Sequence, residues 1–104
     1  MEVNGLIEAL GAVGQATRLR ILETLATEGT AGLPAGDLAA LIGTPSNTMS
    51  THLAILARAG VVASEREGRL VRYRMLPDGL RSMAEHLASI ADACGGNAVS
   101  SRPS

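Results

Sequence analysis

Aromatic residues are almost absent from this sequence. Tyr73 is the one aromatic side chain among 104 residues, and there is neither Phe nor Trp. A core without large rings has to be built from Leu, Ile, Val, Met and Ala, and many small aliphatic side chains favour closely packed helices. The length is also that of one ordinary domain, so we expect a single, mostly helical domain.

Cysteine is nearly as rare, and long apolar segments are missing. The single Cys94 excludes a disulfide within the chain, and such sparse usage is typical of proteins in a reducing compartment. No apolar run is long enough to span a membrane, and no N-terminal segment has the pattern of a secretory signal. The sequence therefore predicts a cytoplasmic protein with no membrane partner.

Lysine is absent altogether, so that all nine basic side chains are arginines. The formal net charge of −1 argues mildly against a nucleic-acid binder, but the charge is unevenly distributed. Residues 44–76 contain five arginines and two glutamates, a local charge of +3, and the other residues therefore carry −4. Because a guanidinium is always charged and pairs well with phosphate, this segregation is typical of a protein with one side facing DNA.

The segment TPSNTMSTHLAILARAGVV, residues 44–62, has the pattern of an amphipathic helix. We expect Thr44 to be its N-cap and Pro45 its first residue. Met49, Leu53 and Leu56 recur at helical spacing and form one apolar stripe. The opposite face collects short, polar or basic side chains and no acidic one: Asn47, Ser50, Thr51, Ala54 and Arg58. Such a helix is either an ordinary surface helix or one shaped to enter a DNA major groove.

Two further helices are predicted before this segment. The first of them covers residues 15–29, with Thr17 as its cap and a core stripe of Leu19, Leu22, Leu25 and Ala26. Its two arginines, Arg18 and Arg20, either contact DNA phosphates or are simply solvated at the surface. Solvation is the favoured interpretation. TAGLPAG is expected to be a loop. The second of these helices begins at Pro34 or Asp37, turns Leu38, Leu41 and Ile42 inward, and ends at Gly43. Together with the segment that follows, it gives a helix-turn-helix pattern.

After Gly60 the period of the sequence changes from that of a helix to that of a strand. VVASERE and LVRYRML flank Gly68, and Val71, Tyr73 and Met75 alternate with arginines. This pattern predicts a two-stranded hairpin that turns near Gly68. A helix-turn-helix followed directly by a basic hairpin is a winged helix, with the element order α-α-α-α-β-β-α.

The two ends of the chain carry apolar stripes that one chain does not need for its own core. Val3, Leu6, Ile7 and Leu10 form the stripe of a short first helix. The last helix, which begins at Pro77 or Asp78, has a stripe of Leu80, Met83, Ala84, Leu87, Ile90, Ala91 and Cys94. We therefore expect a homodimer that forms through the first and last helices. Residues 1–94 would make up this single domain, and residues 95–104 would be a disordered tail.

Several segments resemble a known family. RLRIL, DLAALIG, S-x-HLAILARAGVV and EREGRLVRYRM are similar to segments of the ArsR-type (ArsR/SmtB) winged helix-turn-helix repressors of bacteria. The resemblance runs from about Gly14 to Leu76, with the flanking helices in the expected places. It implies a homodimeric repressor that binds an operator in double-stranded DNA near its own promoter and leaves when an inducer binds. A dimer would put its two DNA-reading helices roughly 34 Å apart, which predicts a palindromic operator.

The resemblance also implies which residues contact DNA. Asn47, Ser50 and Thr51 would read bases, since Asn pairs with adenine and hydroxyls contact either base class. Phosphates would be bound at the start of the helix, and the hairpin would lie on the backbone or in the minor groove. The complete set is Thr44, Ser46, Asn47, Thr48, Ser50, Thr51, His52, Arg58, Arg66, Arg69 and Arg72. His52, at the edge of the apolar stripe, is expected to pack or to contact phosphate rather than to bind a metal, and Tyr73 is expected to pack the hairpin on the core.

The metal sites for which the family is best known are not matched. Pro34 and Gly36 occupy the places of a Cys pair that some members use. The last helix offers Asp78, Glu85, His86 and Asp92, but Glu85 and His86 are adjacent and point apart, so the spacing fits no tetrahedral site. We therefore expect no required metal or other cofactor.

Cys94 has two possible roles. DACGGN resembles the end of this helix in some arsenite-responsive members, with Gly95 in place of the second thiol. Two thiols across a dimer would hold a two-coordinate arsenical or form a disulfide, which would make Cys94 the site of a thiol-reactive inducer. Otherwise Cys94 continues the apolar stripe as a small hydrophobe, and the protein is regulated without any metal.

Two other classes of function compete with DNA binding. An enzyme is not expected, because no nucleophile-base set, phosphate loop or paired carboxylates are present. A winged-helix module that binds protein rather than DNA is the stronger alternative, since it fits the slightly acidic total charge.

Overall fold

The expected winged helix is confirmed, with one strand added. A computed structural model describes residues 2–95 of the chain. In that range the elements are α1 (Val3–Val13), α2 (Ala16–Glu28), β1 (Leu33–Pro34), α3 (Ala35–Ile42), α4 (Ser46–Arg58), β2 (Val62–Glu67), β3 (Leu70–Met75) and α5 (Pro77–Ala93). A turn of 3₁₀ helix, Gly29–Ala31, lies between α2 and β1. The tail predicted over 95–104 lies outside the described residues, apart from Gly95.

The sheet has the order β1-β3-β2 and is antiparallel throughout. Strands β2 and β3 pair from Val62 opposite Met75 to Glu67 opposite Leu70, which leaves a two-residue turn at positions 68 and 69, as predicted. Gly68 has a φ of +64°, a conformation that glycine adopts without strain. We name this hairpin, residues 62–75, the wing.

Strand β1 was not predicted, and the interpretation of TAGLPAG as a simple loop was wrong. Leu33 pairs with Tyr73 and Pro34 with Arg72. Two residues are too few to show the alternation that marks a strand. Gly32 permits the approach, because a Cβ at this position would overlap the carbonyl oxygen of Tyr73.

The main core lies between α2, α3, α4 and the start of the wing. Its largest fully buried side chains are Ile21, Leu25, Leu38, Met49, Leu53, Leu56, Val61 and Val62. Tyr73 is half-buried and packs against this core, as expected. The prediction that Leu19, Ala26 and Leu41 point inward was wrong, because all three are exposed. The buried edge of α2 runs through Ile21 instead, and Leu19 lines an apolar cleft of about 310 Å³ between α2 and α5.

Two predicted helix caps were also wrong. The N-cap of α2 is Gln15 rather than Thr17, and its side chain accepts the N–H of Arg18 at 2.8 Å. The N-cap of α4 is Pro45 rather than Thr44, without a side-chain hydrogen bond. Pro45 itself is extended, with φ −58° and ψ 148°, so helix α4 begins one residue later than predicted, at Ser46.

A second, smaller core joins α1 to α5. Leu6, Ala9 and Met83 are buried in it, and Leu80 and Val13 pack against it. Leu6 and Met83 were expected in a dimer interface, but their own chain buries them. They would support such an interface only indirectly, by packing under its exposed residues. The large apolar side chains that remain exposed on these two helices are Val3, Ile7, Leu10, Leu87 and Ile90; we name them the α1–α5 face. In the described range, 2–95, we find no helix long and apolar enough to cross a membrane.

Candidate nucleic-acid interface

The turn between α3 and α4 is set by Gly43. Its φ of +80° places it in the left-handed region, where glycine is favoured as a helix terminator. The N–H groups of Gly43 and Thr44 both donate to the carbonyl oxygen of Ala39, at 2.8 and 3.0 Å. These hydrogen bonds close the last turn of α3 and direct the chain into α4, so that the two helices form the helix-turn-helix predicted from the sequence.

Helix α4 presents one buried face and one exposed face. Met49, Leu53 and Leu56 are each 0% exposed. The opposite face, predicted as polar or basic, is exposed along its whole length: Asn47, Ser50, Thr51, Ala54 and Arg58. Ser46 and Thr48 are also exposed, whereas Thr44 is half-buried. The buried stripe fixes the rotation of α4, and the fixed rotation leaves a surface of short side chains without an acidic group.

Asn47 is partly engaged within its own helix turn. Its Oδ1 accepts the N–H of Thr48 at 2.9 Å, and its carbonyl oxygen accepts the hydroxyl of Thr51 at 3.2 Å. An amide oxygen has two lone pairs, so Oδ1 can still accept a further donor. The side chain of Asn47 is exposed, and its hydrogen bond to Thr48 leaves it able to contact a ligand.

The wing arginines differ in their surroundings. Arg72 Nε forms an ion pair with Glu67 Oε1 at 3.0 Å, and Arg66 Nη1 donates to the carbonyl oxygen of Gly68 at 3.3 Å. Arg69 lies in the two-residue turn at the tip and is exposed. Ion pairs between exposed groups contribute only about 0–1 kcal/mol. Arg72 can therefore leave Glu67 for another anion at little cost in free energy.

The wing is tied closely to the end of α4. Gly60, with a φ of +80°, reverses the chain after the helix. The N–H of Val61 donates to the carbonyl oxygen of Leu56 at 3.2 Å, and the N–H of Leu76 donates to that of Val61 at 2.8 Å. Val61 is also fully buried. The exposed face of α4 and the wing therefore keep a fixed relative position.

His52 and Arg18 meet beside α4. His52 is half-buried, and its Nδ1 lies 3.2 Å from Nη1 of Arg18. Burial, and secondly the charge of Arg18, lower the pKa of His52. The expectation of simple solvation was wrong for Arg18, while Arg20 is exposed as expected. No spacing in the sequence indicates this contact, because its partners are 34 residues apart.

The carboxylates and the thiol at the end of the chain are not gathered into a metal centre. Asp78 pairs with Arg81 at 3.6 Å on the surface. Across residues 2–95, no group of three or more His, Cys, Asp and Glu side chains is placed to hold a metal ion. Cys94 is a free, exposed cysteine at the end of α5, so its thiol is not covered by the chain's own core.

Comparison with known proteins is consistent with this geometry. A helix-turn-helix domain family matches residues 13–65. The HTH-type transcriptional regulator KmtR of Mycobacterium tuberculosis is 30% identical over 78 residues, which are 75% of this chain and 58% of KmtR. The chain thus spans little more than half the length of this relative.

Solved structures share the fold over most of the chain. An ArsR-like transcriptional regulator from Rhodococcus is 31% identical, with a TM-score of 0.76 over 86% of this chain and 82% of its own. The homodimeric winged helix-turn-helix DNA-binding domain Mb0332 of Mycobacterium bovis is 24% identical, with a TM-score of 0.69 over 94% and 89% of the two chains; this second likeness concerns the fold alone. With the helix-turn-helix match and the Rhodococcus likeness together, the chain belongs to the ArsR-type family of winged helix-turn-helix, DNA-binding transcriptional regulators.

Proposed function

We propose that this chain is a sequence-specific repressor that binds its operator as a homodimer and is released by an inducer. The observation that carries the proposal is the exposed face of α4. A helix whose outward side chains are short, uncharged or basic fits a major groove, which admits an α-helix and presents donors and acceptors on the base edges. The proposal includes no catalytic activity.

In this arrangement α4 reads bases and its first turn binds the backbone. Asn47, Ser50 and Thr51 lie on the exposed face where base edges would meet them. The first N–H groups of a helix have no intrahelical partner and attract phosphate, and the hydroxyls of Ser46 and Thr48 are exposed beside them. Thr44 would complete the phosphate contacts at the edge of the helix, and Arg58 those at its C-terminal end, whereas His52, half-buried beside Arg18, would keep the packing role.

The wing would add contacts that do not depend on sequence. Arg69 is exposed at the tip, with Arg66 and Arg72 nearby on the two strands, and would reach a phosphate or the minor groove. Arginine suits both sites, because its planar guanidinium binds phosphate oxygens in a fork. Arg72 would exchange Glu67 for phosphate on binding.

The dimer part of the proposal depends on the α1–α5 face. Val3 and Ile7 on α1 are 60% and 61% exposed, and Leu87 and Ile90 on α5 are 43% and 58% exposed. Apolar side chains gathered on adjoining helices mark a surface that a partner covers. The Mb0332 domain, which has this fold, is homodimeric. A symmetric dimer would set its two recognition helices roughly 34 Å apart, one turn of DNA, and therefore predicts a palindromic operator.

The inducer has one candidate residue in this chain. Cys94 is exposed in a single chain, which is compatible with a thiol that reacts with an arsenical or an oxidant. It is equally compatible with a small apolar residue that the partner's last helix covers in the dimer. The two roles differ in what Cys94→Ser does to release from DNA.

DNA binding is tested by fluorescence anisotropy of a labelled duplex from the region upstream of the protein's own coding sequence. Saturable binding that weakens steeply as salt rises is expected, because each phosphate contact releases counterions. An unrelated duplex of equal length is the control for sequence preference. Absence of saturable binding at low salt would reject the proposal and favour the protein-interaction module. Equal affinity for both duplexes would reject its sequence-specific part.

A further inference from the structure

Helix α2 carries two arginines whose environments differ sharply. Arg20 is exposed, whereas Arg18 is half-buried two residues earlier on the same helix. The guanidinium of Arg18 contacts two elements outside its own helix, α1 and α4. These contacts indicate a structural role for Arg18.

The first contact is with the end of α1. Arg18 Nε donates to the carbonyl oxygen of Ala12 at 2.6 Å. Ala12 lies in the last turn of α1 and is 3% exposed. The last carbonyl groups of a helix lack partners within the helix, and a cation is favourable at this end of the helix dipole. Arg18 therefore holds the C-terminus of α1 at a buried point.

The second contact is with α4. Arg18 Nη1 lies 3.2 Å from His52 Nδ1. A guanidinium can only donate, so Nδ1 must be the acceptor, and the ring is neutral with its hydrogen on Nε2. Burial of the ring and the charge of Arg18 lower the pKa of His52, which keeps the acceptor form at neutral pH. The residues beside His52 on the buried side of α4, Met49 and Leu56, are apolar. The charge that acts on the ring is that of Arg18.

We propose that Arg18 is a positioning residue that ties the last turn of α1 to α4, the helix proposed to read bases, through His52. In this proposal Arg18 is not a phosphate contact. This inference rests on the proposed function, in which α1 contributes to the dimer and α4 reads bases. A tie between the dimerising helix and the reading helix fixes where each α4 lies relative to the two-fold axis. Arg18 would then determine how strictly the dimer discriminates between half-site spacings.

Two measurable properties separate this role from a phosphate contact. A lost phosphate contact weakens binding to all duplexes and reduces the slope of log affinity against log salt by about one. A lost tie leaves that slope unchanged. The lost tie weakens binding to the duplex with the preferred half-site spacing by about tenfold. Binding to duplexes with other spacings weakens by less, because an α4 that is no longer tied to α1 can shift to fit each spacing.

The test uses the full chain and duplexes selected from a random pool, which yield the preferred half-site spacing. Affinities for this duplex, and for duplexes with one base pair added or removed at the centre, are measured over a range of salt. Arg18→Gln is expected to lose spacing discrimination at an unchanged salt slope. Arg20→Gln, the matched control on the same helix, is expected to keep the discrimination of the wild type.

Variants of His52 test the same tie from the other side. Glutamine keeps an acceptor for Arg18, so His52→Gln should retain spacing discrimination, whereas His52→Leu should lose it. Acidification provides an independent readout, because an imidazolium cannot accept from Arg18. The wild type should lose discrimination as the pH falls through the lowered pKa of the folded His52, while His52→Gln should not.

Each other outcome overturns the inference. Retained discrimination in both Arg18→Gln and His52→Leu would show that the contact positions nothing, and a slope reduced by about one in Arg18→Gln would make Arg18 a phosphate contact. Circular dichroism identifies a variant that fails to fold, and the His52→Gln and His52→Leu pair then decides. Failure of the wild type to bind any duplex would instead reject the proposed function, and this inference with it.

Discussion

Gly79, in the first turn of α5, lies so close to Gly60 that a Cβ at position 79 would overlap the Gly60 carbonyl oxygen. Gly60 follows the end of α4 and begins the path into the wing, while α5 carries part of the α1–α5 face. The two parts of the molecule therefore meet by backbone-to-backbone contact, where no side chain can rotate aside. Neither glycine belongs to the proposed DNA-contacting set, yet both decide where that set lies.

Gly79→Ala should destabilise the fold by about 1–3 kcal/mol, the usual cost of adding a group to a closely packed site. Urea unfolding at neutral pH gives the free energy of unfolding. The matched control is Gly36→Ala in α3, where a Cβ meets nothing within 4 Å. Since Ala is the better helix former, this control should be unchanged or slightly more stable. Equal stability of the two variants would contradict the contact.

Asn47→Ala and Arg69→Ala should weaken DNA binding in different ways. Loss of a base-reading amide costs about 1–3 kcal/mol on the preferred sequence and little on others, so specificity falls. Loss of a wing arginine weakens binding to all sequences alike and lowers the salt slope by about one. Anisotropy titrations with the preferred and an unrelated duplex measure both effects. A salt slope unchanged in Arg69→Ala would remove the wing tip from the interface.

Ile90→Glu should yield a folded monomer, because a carboxylate in the centre of an apolar interface loses its hydration without gaining a partner. The control is Leu41→Glu on α3, since Leu41 is 62% exposed, similar to the 58% of Ile90, but lies off the α1–α5 face. Light scattering coupled to size exclusion gives the mass of each species. A dimeric Ile90→Glu, or a monomeric wild type, would count against dimerisation through this face.

Cys94→Ser should make the protein–DNA complex insensitive to thiol reagents if Cys94 senses the inducer. The experiment titrates arsenite, an organic arsenical and peroxide into the complex and follows anisotropy. Serine keeps the size of the side chain and removes the nucleophilic sulfur. Release from DNA that is the same in wild type and Cys94→Ser would leave Cys94 with its packing role alone.

The stability of the protein should depend on His52 between neutral and mildly acidic pH. The unfolded chain binds the proton of His52 near its ordinary pKa of about 6.5, but the folded chain binds it only at lower pH, because the pKa of His52 is lowered in the structure. In that window the unfolded state holds more protons, so stability falls as the pH falls and levels off below the lowered pKa. Urea unfolding of wild type and His52→Gln across this range checks the prediction. Parallel pH profiles would show that His52 contributes nothing.

The elements whose apolar residues recur at regular spacing along the sequence were predictable. The stripe of Met49, Leu53 and Leu56 identified both α4 and its buried face, because three apolar residues at helical spacing define one direction. Gly43 and Gly60 marked helix ends, because their positive φ values suit glycine and few other residues. The exposed polar face of α4 followed directly from these assignments.

The features that were missed depend on contacts between distant segments. Strand β1 forms because Leu33 meets Tyr73, and two residues carry no period of their own. Leu19 and Leu41 matched a helical stripe but lie at its edge, where only the neighbouring elements decide burial. The link from Arg18 to His52 crosses 34 positions, and arginine and histidine at such a distance have no recognisable pattern. The sequence therefore predicted the exposed polar face of α4 better than the contacts that hold it in place.

The two edge strands of the sheet determine whether a second molecule can add a strand to it. One edge is β1, which is two residues long and contains Pro34, a residue without a backbone N–H. The other edge is β2, where Glu65, Arg66 and Glu67 are all exposed. Short, proline-containing or charged edges resist the addition of a strand from a second molecule. This sheet is thus protected against edge-to-edge aggregation, which leaves the α1–α5 face as the surface on which the proposed self-association would occur.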